Sequence, residues 1–246
     1  MHTIVQACLN GARPRDFHPQ LPLTAEAMAQ DCAACVGAGA AELHIHPRGL
    51  HRQESLAAVD ETIRAVRRAC PGRLVGVSTG AWIENDEAQT RNAIAGWGEL
   101  PDYASVNLSE PDAPAVMDLL RQRGIGIEAG LASVADAERF LDVPDHGRVF
   151  RIMIETAEQD MAAAQSIADG IAAVLDGAGL RRPILLHGFD ATVWPFVALA
   201  HQRQWSTRVG LEDGKHLPDG TIAPGNAALV AAAVAMFRSP QTASES

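Results

Sequence analysis

The sequence is poor in aromatic residues and short of positive charge. Phe, Trp and Tyr together make up 4% of the 246 residues, and 20 basic against 30 acidic residues give a formal net charge of −10. Binding to DNA or RNA needs a concentrated basic face, so this charge balance argues against a nucleic-acid partner. Individual arginines near a site can still bind a small anion.

Long apolar runs are also missing. No segment approaches the ~20 consecutive apolar residues that a membrane-spanning helix needs. The start, MHTIVQACLNGARPRD, has no basic region followed by an apolar stretch and a small-residue cleavage site. We therefore expect an unexported protein without a membrane partner, with the cytoplasm as its default location.

Cysteine is scarce, and the four present are Cys8, Cys32, Cys35 and Cys70. Two of them form a C-x-x-C pair inside AEAMAQDCAACVGAG, a run with the apolar periodicity of a helix. A redox pair of this kind lies at the N-terminus of a helix that follows a strand. We therefore predict that Cys32 and Cys35 are small core-facing residues without a redox or metal role.

What the sequence does contain is a regular alternation of strand-like and helix-like segments. Each β-rich run is followed by a stretch with helical periodicity, which is typical of a parallel sheet with helical crossovers. The eight β-rich runs are TIVQACLN, AELHIHP, RLVGVSTG, YASVNLSE, IGIEAG, RVFRIMIE, PILLHG and STRVGLED. Eight such units in a chain of this length favour an α/β fold, a single (β/α)8 TIM barrel.

An open, doubly wound parallel sheet is the alternative fold. Such sheets usually carry a glycine-rich phosphate-binding motif after the first strand, and neither G-x-G-x-x-G nor G-x-x-x-x-G-K-[ST] follows the first run here. We predict a barrel catalytic domain over residues 1–238 and a flexible C-terminal tail over residues 239–246, because the only low-complexity segment is RSPQTASES at the end.

Several helix boundaries are marked by individual residues. Thr24 and Ser133 precede helical stretches and are of the types that cap helix N-termini. Gly72, Gly124 and Gly179 lie where helices are expected to end.

The alternation of side chains along a strand separates barrel-facing from helix-facing residues. In AELHIHP, apolar Leu43 and Ile45 suit the helix-facing side, which turns His44 and His46 inward. The same rule applied to the other runs gives further inward polar residues, which are Gln6, Asn10, Ser78, Asn107, Ser109, Glu128, His187, Arg208 and Glu212. Nearly all lie late in their strands, at the end of the barrel where active sites are built.

Two histidines at positions i and i+2 of a strand end project in parallel and suit one small cation. A third ligand must come from another strand, and Glu212 at the end of the eighth run is within reach. Two histidines and one carboxylate leave a coordination position open, as in catalytic metal sites. Zinc suits this mixed set of ligands best, and manganese, cobalt or iron(II) also fit.

An open Lewis acid stabilises an enolate or alkoxide that forms beside it. The reaction also needs a base that does not bind the metal, and Asp213 is the best candidate. Arg208 is placed to fix the orientation of this carboxylate, and Ser78 to share its hydrogen bonds. The alternative is an ion pair between Arg208 and Asp213 that only locks the end of the last strand.

The segments LNGARPRDFHPQLPLT, AGAAELHIHPRG, VGVSTGAW, YASVNLSE, TRVGLEDG and APGNAALV resemble, in this order, the beta-keto acid cleavage enzymes. HIHPRG and RVGLED are the most specific of them. The resemblance implies a TIM barrel with zinc on His44, His46 and Glu212. It also implies a reaction in which a beta-keto acid and acetyl-CoA become acetoacetate and a new acyl-CoA.

In this family an aspartate, helped by an arginine and a serine, removes the proton between the two carbonyl groups. By motif position these are Asp213, Arg208 and Ser78. The residues that we expect to contact the substrate are Asn10, Arg13, Asn107, Glu128 and His187, of which Asn107 and Glu128 match family positions on strands 4 and 5. The resemblance further implies a homo-oligomer, a tetramer.

Three loops depart from the family pattern. The loop after strand 1 reads GARPR where many relatives have a glutamate, NLSEPDA lacks the usual glycine and serine pattern, and RIMIETAEQD lacks a glycine-rich loop. Because these loops help to bind substrate and CoA, a metal-dependent aldolase, lyase or hydrolase that does not use CoA is the main alternative. A barrel that only binds a metabolite or serves as a subunit is a further one. Arg13, Arg15 and Glu110 are candidates for selecting the charge of the substrate.

Overall fold

Eight short strands pair in chain order and close on themselves. In the computed structural model, which describes residues 3–239, all neighbouring strands are parallel and β1 pairs with β8. The strands are β1 Val5–Cys8, β2 Glu42–Ile45, β3 Leu74–Ser78, β4 Tyr103–Asn107, β5 Gly126–Leu131, β6 Arg151–Thr156, β7 Ile184–Gly188 and β8 Ser206–Val209. The predicted (β/α)8 barrel is confirmed, and the open sheet is excluded.

A helix follows each strand and packs on the outside of the barrel. The helices are α1 Ala25–Gly37, α2 Val59–Ala69, α3 Glu87–Gly96, α4 Ala113–Gln122, α5 Val134–Asp142, α6 Met161–Gly177, α7 Val193–Gln202 and α8 Asn226–Arg238. None of the helices in residues 3–239 is long and apolar enough to cross a membrane. The last helix of the barrel, α8, ends at Arg238. Residues 240–246 of the predicted tail lie outside the described residues.

The predicted helix boundaries are confirmed. The hydroxyl of Thr24 accepts a hydrogen bond from the backbone N–H of Ala27, and Ser133 caps α5 in the same way. Gly72, Gly124 and Gly179 adopt positive φ angles of 76°, 72° and 69° where helices end. A side chain would strain the backbone in this region, which explains glycine at these positions.

The C-x-x-C pair is part of the hydrophobic core. Cys32 and Cys35 lie on α1 and are both fully buried, and the thiols are free. Burial raises the pKa of both thiols, which keeps them protonated and unreactive. The structure therefore agrees with a packing role for these residues.

A layer of charged side chains fills the lower part of the barrel, near the N-terminal ends of the strands. Arg151, at the start of β6, pairs with Glu42 at the start of β2, and its Nε lies 2.7 Å from Oε2 of Glu128. Gln6 donates hydrogen bonds to Glu128 at 3.2 Å and to the hydroxyl of Tyr103 at 2.9 Å. One buried guanidinium thus contacts two carboxylates, Glu128 on the neighbouring strand β5 and Glu42 across the barrel on β2.

Replacing Arg151 with methionine is expected to destabilise the fold by about 3–5 kcal/mol, because it leaves two buried carboxylates without a counter-charge. The free energy of unfolding in urea measures this loss. The matched control is Arg64→Met, which removes an exposed partner of Glu99 and should cost less than about 1 kcal/mol. An Arg151 variant as stable as the control would show that the buried layer does not depend on this charge.

Candidate active site

The end of β2 carries two histidines that point into the barrel. Leu43 and Ile45 are fully buried on the opposite, helix-facing side, so alternation along the strand turns His44 and His46 inward. Asn10 fixes the second of them: its side-chain amide donates to the carbonyl of His46 at 2.9 Å and its Oδ1 accepts from the same residue's N–H at 3.0 Å. The backbone of His46 is therefore fixed at the C-terminal mouth of the barrel.

The turn after β8 supplies two carboxylates to the same region. The strand ends at Val209, earlier than the pattern RVGLED predicts, and the N–H of Asp213 donates to the carbonyl of Gly210 at 3.0 Å. A Cβ on Gly210 would overlap the carbonyl oxygen of Cys8, so the turn can approach β1 this closely only with glycine. Because the chain turns here, strand alternation no longer applies, and Glu212 and Asp213 are both buried inside.

His44, His46 and Glu212 form a compact set of ligand atoms. Nε2 of His44 lies 3.2 Å from Nε2 of His46, which lies 3.4 Å from Oε1 of Glu212. Ligand atoms at about 2.0–2.1 Å from a tetrahedral zinc ion are about 3.3–3.4 Å apart. Within residues 3–239, this is the group of three His, Cys, Asp or Glu residues whose ligand atoms all lie within 4.8 Å of one another.

The charges of these side chains suit a divalent cation. Burial lowers the pKa of His44 well below its ordinary value, which leaves a neutral ring with a lone pair to offer. Burial raises the pKa of Glu212, but Arg208 and the two histidines outweigh it and hold the pKa well below its usual range. In the described part of the chain, Oε2 of Glu212 is buried without a hydrogen-bond partner. The residues present therefore fit the metal site that the sequence predicts.

His46 is protonated when no cation competes for it. Burial lowers the pKa of His46, but the carboxylates of Glu212 and Glu54 outweigh burial and raise it to about 9. A metal must displace this proton before the ring can bind it, as is usual for histidine ligands.

Arg208 organises the two carboxylates of the turn. Its Nη2 lies 2.7 Å from Oε1 of Glu212 and 3.5 Å from Oδ1 of Asp213. Asp213 is fully buried, accepts a hydrogen bond from the thiol of Cys8 at 2.6 Å and lies 3.3 Å from Nδ1 of His187. The closer ion pair of Arg208 is thus with the candidate metal ligand Glu212. Within the described residues, Oδ2 of Asp213 is hydrogen-bonded to Cys8, whereas Oδ1 has no hydrogen-bond partner.

A cavity of about 530 Å³ opens above these residues. His44, His46, Arg208 and Glu212 reach its floor, and Trp82 forms part of its wall. The remaining polar residues that line it are Arg13, Ser78, Ser105, Asn107, Glu155, Gln159 and Asp190. This arrangement can hold a small polar molecule against the candidate metal.

Five residues were expected to contact the substrate, and two of them, Arg13 and Asn107, line the cavity. The other three have contacts below it: Asn10 holds the backbone of His46, Glu128 pairs with Arg151 in the lower layer, and His187 lies between Glu155 and Asp213. Direct contact of these three residues with a substrate stays an untested prediction.

Arg13 has a bracing position as well as access to the cavity. Its Nε donates to the carbonyl of Glu212 at 2.9 Å, and its Nη2 donates to the carbonyl of Asp213 at 2.9 Å and to Asp190 at 3.0 Å. The guanidinium also lies 4.3 Å from the centre of the Phe17 ring. Arg13 therefore ties the loop after β1 to the turn that carries both acidic site residues.

Ser78 and two neighbouring candidates have specific positions. Ser78 is buried at the end of β3, where its hydroxyl accepts a hydrogen bond from the N–H of Gly80 at 3.2 Å. Glu110 accepts hydrogen bonds from Asn107 and from the backbone of Ala81. The inward position expected for Ser109 is wrong: β4 ends two residues earlier, and this serine is exposed in the following turn.

The sequence reasoning missed several residues of the site. Ser105 and Glu155 line the cavity from β4 and β6, and the alternation rule finds both when it is applied to those strands. Cys8 contacts Asp213 from β1, on the same side of the strand as Gln6. Glu54 and Trp82 lie on loops, where no periodic signal identifies them.

Comparisons with known proteins identify the family of the chain. A family model described as beta-keto acid cleavage enzyme matches residues 2–243. A 3-keto-5-aminohexanoate cleavage enzyme of Fusobacterium nucleatum subsp. nucleatum is 24% identical over 251 residues, which cover 92% of this chain and 88% of the relative.

Solved structures with the same fold are more distant in sequence. The binary complex of ObcA with oxaloacetate superposes with a TM-score of 0.70 at 18% identity over 87% of this chain. The match spans only 62% of the length of ObcA. A 3-dehydroquinate dehydratase from Geobacillus kaustophilus has a TM-score of 0.65 at 9% identity, covering 96% of this chain and 90% of its own. These likenesses show the barrel fold, and the family model, which matches nearly the whole sequence, shows that the chain belongs to the beta-keto acid cleavage enzymes.

Proposed function

We propose that this protein converts a beta-keto acid and acetyl-CoA into acetoacetate and a new acyl-CoA, with a divalent metal, zinc by preference, on His44, His46 and Glu212. The observation that carries the proposal is the convergence of these three ligands on the floor of a cavity in a member of this family. The name of the Fusobacterium relative supports the same reaction class.

His44, His46 and Glu212 would hold a divalent cation, which would supply a Lewis acid for the oxygen atoms of a bound keto acid. The chain's own residues orient the substrate. Ser78, Ser105 and Asn107 line the cavity on the side of β3 and β4, and their side chains are placed to hydrogen-bond a carboxylate or ketone oxygen. Binding in one orientation brings the carbon between the two carbonyl groups toward the floor.

Asp213 is our proposed base for the proton on that carbon. It is fully buried in the structure and bonded to the thiol of Cys8, so proton removal requires that its carboxylate exchange this bond for contact with the substrate. Such contacts commonly form only once substrate is bound. Arg208, which lies 2.7 Å from Glu212 and 3.5 Å from Asp213, is placed to orient the carboxylate during this step.

The remaining bond changes use acetyl-CoA as the second substrate. The carbanion forms a bond to the thioester carbon of acetyl-CoA, and the CoA thiolate leaves. The thiolate then attacks the original ketone, and cleavage of the adjacent carbon–carbon bond releases acetoacetate. No net oxidation takes place, and the proton removed at the start is available to the products.

The assembly and location form part of the proposal. By resemblance to its family, we infer a homo-tetramer acting on small molecules. The cytoplasm remains the location that we expect from the sequence. Light scattering should give about four times the 26.1 kDa mass of the chain. A monomer at micromolar concentration would contradict the tetramer and leave the reaction untouched.

The experiment is an assay of the zinc-loaded protein with a panel of beta-keto acids and acetyl-CoA. We expect acyl-CoA and acetoacetate to appear in equal amounts with at least one keto acid. Consumption of a keto acid without loss of acetyl-CoA would identify a CoA-independent aldolase, lyase or hydrolase instead. If the panel includes neutral, cationic and anionic side chains, the same assay identifies the substrate charge that the cavity accepts.

A further inference from the structure

We propose that Glu54 is a positioning residue that couples the aromatic wall of the cavity to the candidate metal ligand His46. One carboxylate oxygen of Glu54, Oε1, shares a hydrogen bond with Nδ1 of His46. The other, Oε2, accepts a hydrogen bond from the indole N–H of Trp82 at 2.9 Å. The proposal rests on the proposed function only in taking His46 as a metal ligand.

The loop after β2 brings Glu54 back to the strand end from which it started. The loop forms a short hairpin in which the backbones of Arg48 and Glu54 form an antiparallel β-bridge. The N–H of Gly49 donates to the carbonyl of Gln53 at 2.8 Å. Leu50 at its tip is 99% exposed, whereas the side chain of Glu54 is 9% exposed. The hairpin thus turns its carboxylate into the mouth of the barrel while its tip remains in solvent.

The bond from Glu54 determines which nitrogen of His46 faces the other ligands. With Nδ1 donating to the carboxylate, Nε2 is the atom directed at His44 and Glu212, at 3.2 and 3.4 Å. A carboxylate in this position fixes the tautomer and the orientation of a metal-binding imidazole. Loss of such a partner typically weakens metal binding by about 10–100-fold.

Trp82 extends the connection to the cavity. Its side chain lines the cavity and is 43% exposed, and the ring packs so closely on Gly80 that a Cβ there would overlap it. The indole is therefore held by this packing and by its bond to Glu54. A substrate that displaces the indole in the cavity therefore also displaces the carboxylate of Glu54, which orients His46.

The hydrogen bonds from His46 and Trp82 require two acceptor oxygens at position 54. A side chain with only one acceptor therefore tests the proposal. In Glu54→Gln, the amide keeps one acceptor oxygen and presents an NH2 group to the other N–H donor. Either His46 or Trp82 then faces a donor at position 54, whose side chain is only 9% exposed. Trp82→Phe removes one of these donors, so a glutamine at position 54 can turn its oxygen to His46.

The measurement is zinc affinity by competition with a chelator, in the full-length protein and without substrate. We expect Glu54→Gln to weaken zinc binding by about 10–100-fold. The double variant Glu54→Gln with Trp82→Phe should recover most of this loss. Glu61→Gln, an exposed carboxylate on α2, is the matched control and should bind zinc as the unmodified protein does.

Urea unfolding of each metal-free variant measures whether Glu54 stabilises the fold. Comparison with the zinc affinities shows whether Glu54 orients His46 or only stabilises the loop after β2. If Glu54→Gln bound zinc normally and only lost stability, Glu54 would be a brace and the proposal would fall. If the double variant recovered nothing, the coupling through Trp82 would be refuted. Zinc affinity is measured without any turnover, so these outcomes are independent of whether acyl-CoA is formed.

Discussion

His46→Ala and Glu212→Gln should each purify without stoichiometric divalent metal. The three ligand atoms lie within 4.8 Å, and each variant leaves only two of them, which cannot hold a zinc ion against competing chelators. Elemental analysis of protein dialysed against a trace of zinc measures the loss. Turnover of any keto acid should fall to the background in both variants.

The controls separate metal loss from damage to the fold. His51→Ala removes an exposed histidine from the loop after β2 and should keep a full complement of metal. Circular dichroism should show the same helix content in all variants, because the ligands lie at the mouth of the barrel and outside its packed core. Undiminished metal in either ligand variant would refute the assignment of these residues.

Asp213→Asn is expected to lower kcat by about 10²–10⁴-fold, the range for loss of a general base, while the protein keeps its metal. Asparagine preserves the size of the side chain and removes its ability to take a proton. The hydrogen bond from Cys8 remains possible, since the amide oxygen also accepts. Exchange of the substrate's C–H protons with deuterium from solvent, followed by NMR, measures this step apart from the steps that use CoA.

Glu155→Gln is the matched comparison, because Glu155 is a carboxylate that lines the cavity directly. It lies 3.4 Å from Nε2 of His187, and His187 contacts Asp213. If Asp213 is the base, this variant should retain more proton exchange than Asp213→Asn. Exchange that survives in Asp213→Asn and disappears in Glu155→Gln would assign the base to Glu155 instead.

The fold was predictable because its signals are local. Each helix or strand boundary is marked by nearby residues alone. The markers are N-caps such as Thr24 and Ser133, helix-ending glycines such as Gly179, and the eight apolar runs. Closure of the barrel follows once all strands are parallel and joined by helices. The orientation of His44 follows equally directly, because it lies between two apolar residues within a strand.

The rest of the site depends on backbone that leaves the strand pattern. Alternation places Asp213 on the side opposite Glu212, and only the turn that begins at Gly210 brings both inside. Glu54 reaches His46 through a hairpin whose path has no periodic signature. The position of Glu128 in the lower layer is set by its ion pair with Arg151 on a neighbouring strand, a contact between residues distant in sequence.

The most direct test of the proposed reaction follows the carbon atoms of acetyl-CoA. The protein is supplied with acetyl-CoA carrying ¹³C in the thioester carbonyl and with an unlabelled beta-keto acid that it converts. The account predicts that the label appears in the ketone carbon of acetoacetate, because the keto acid contributes the carboxylate end of that product, and that the new acyl-CoA is unlabelled. Label that remains in acetyl-CoA while the keto acid is consumed would contradict it.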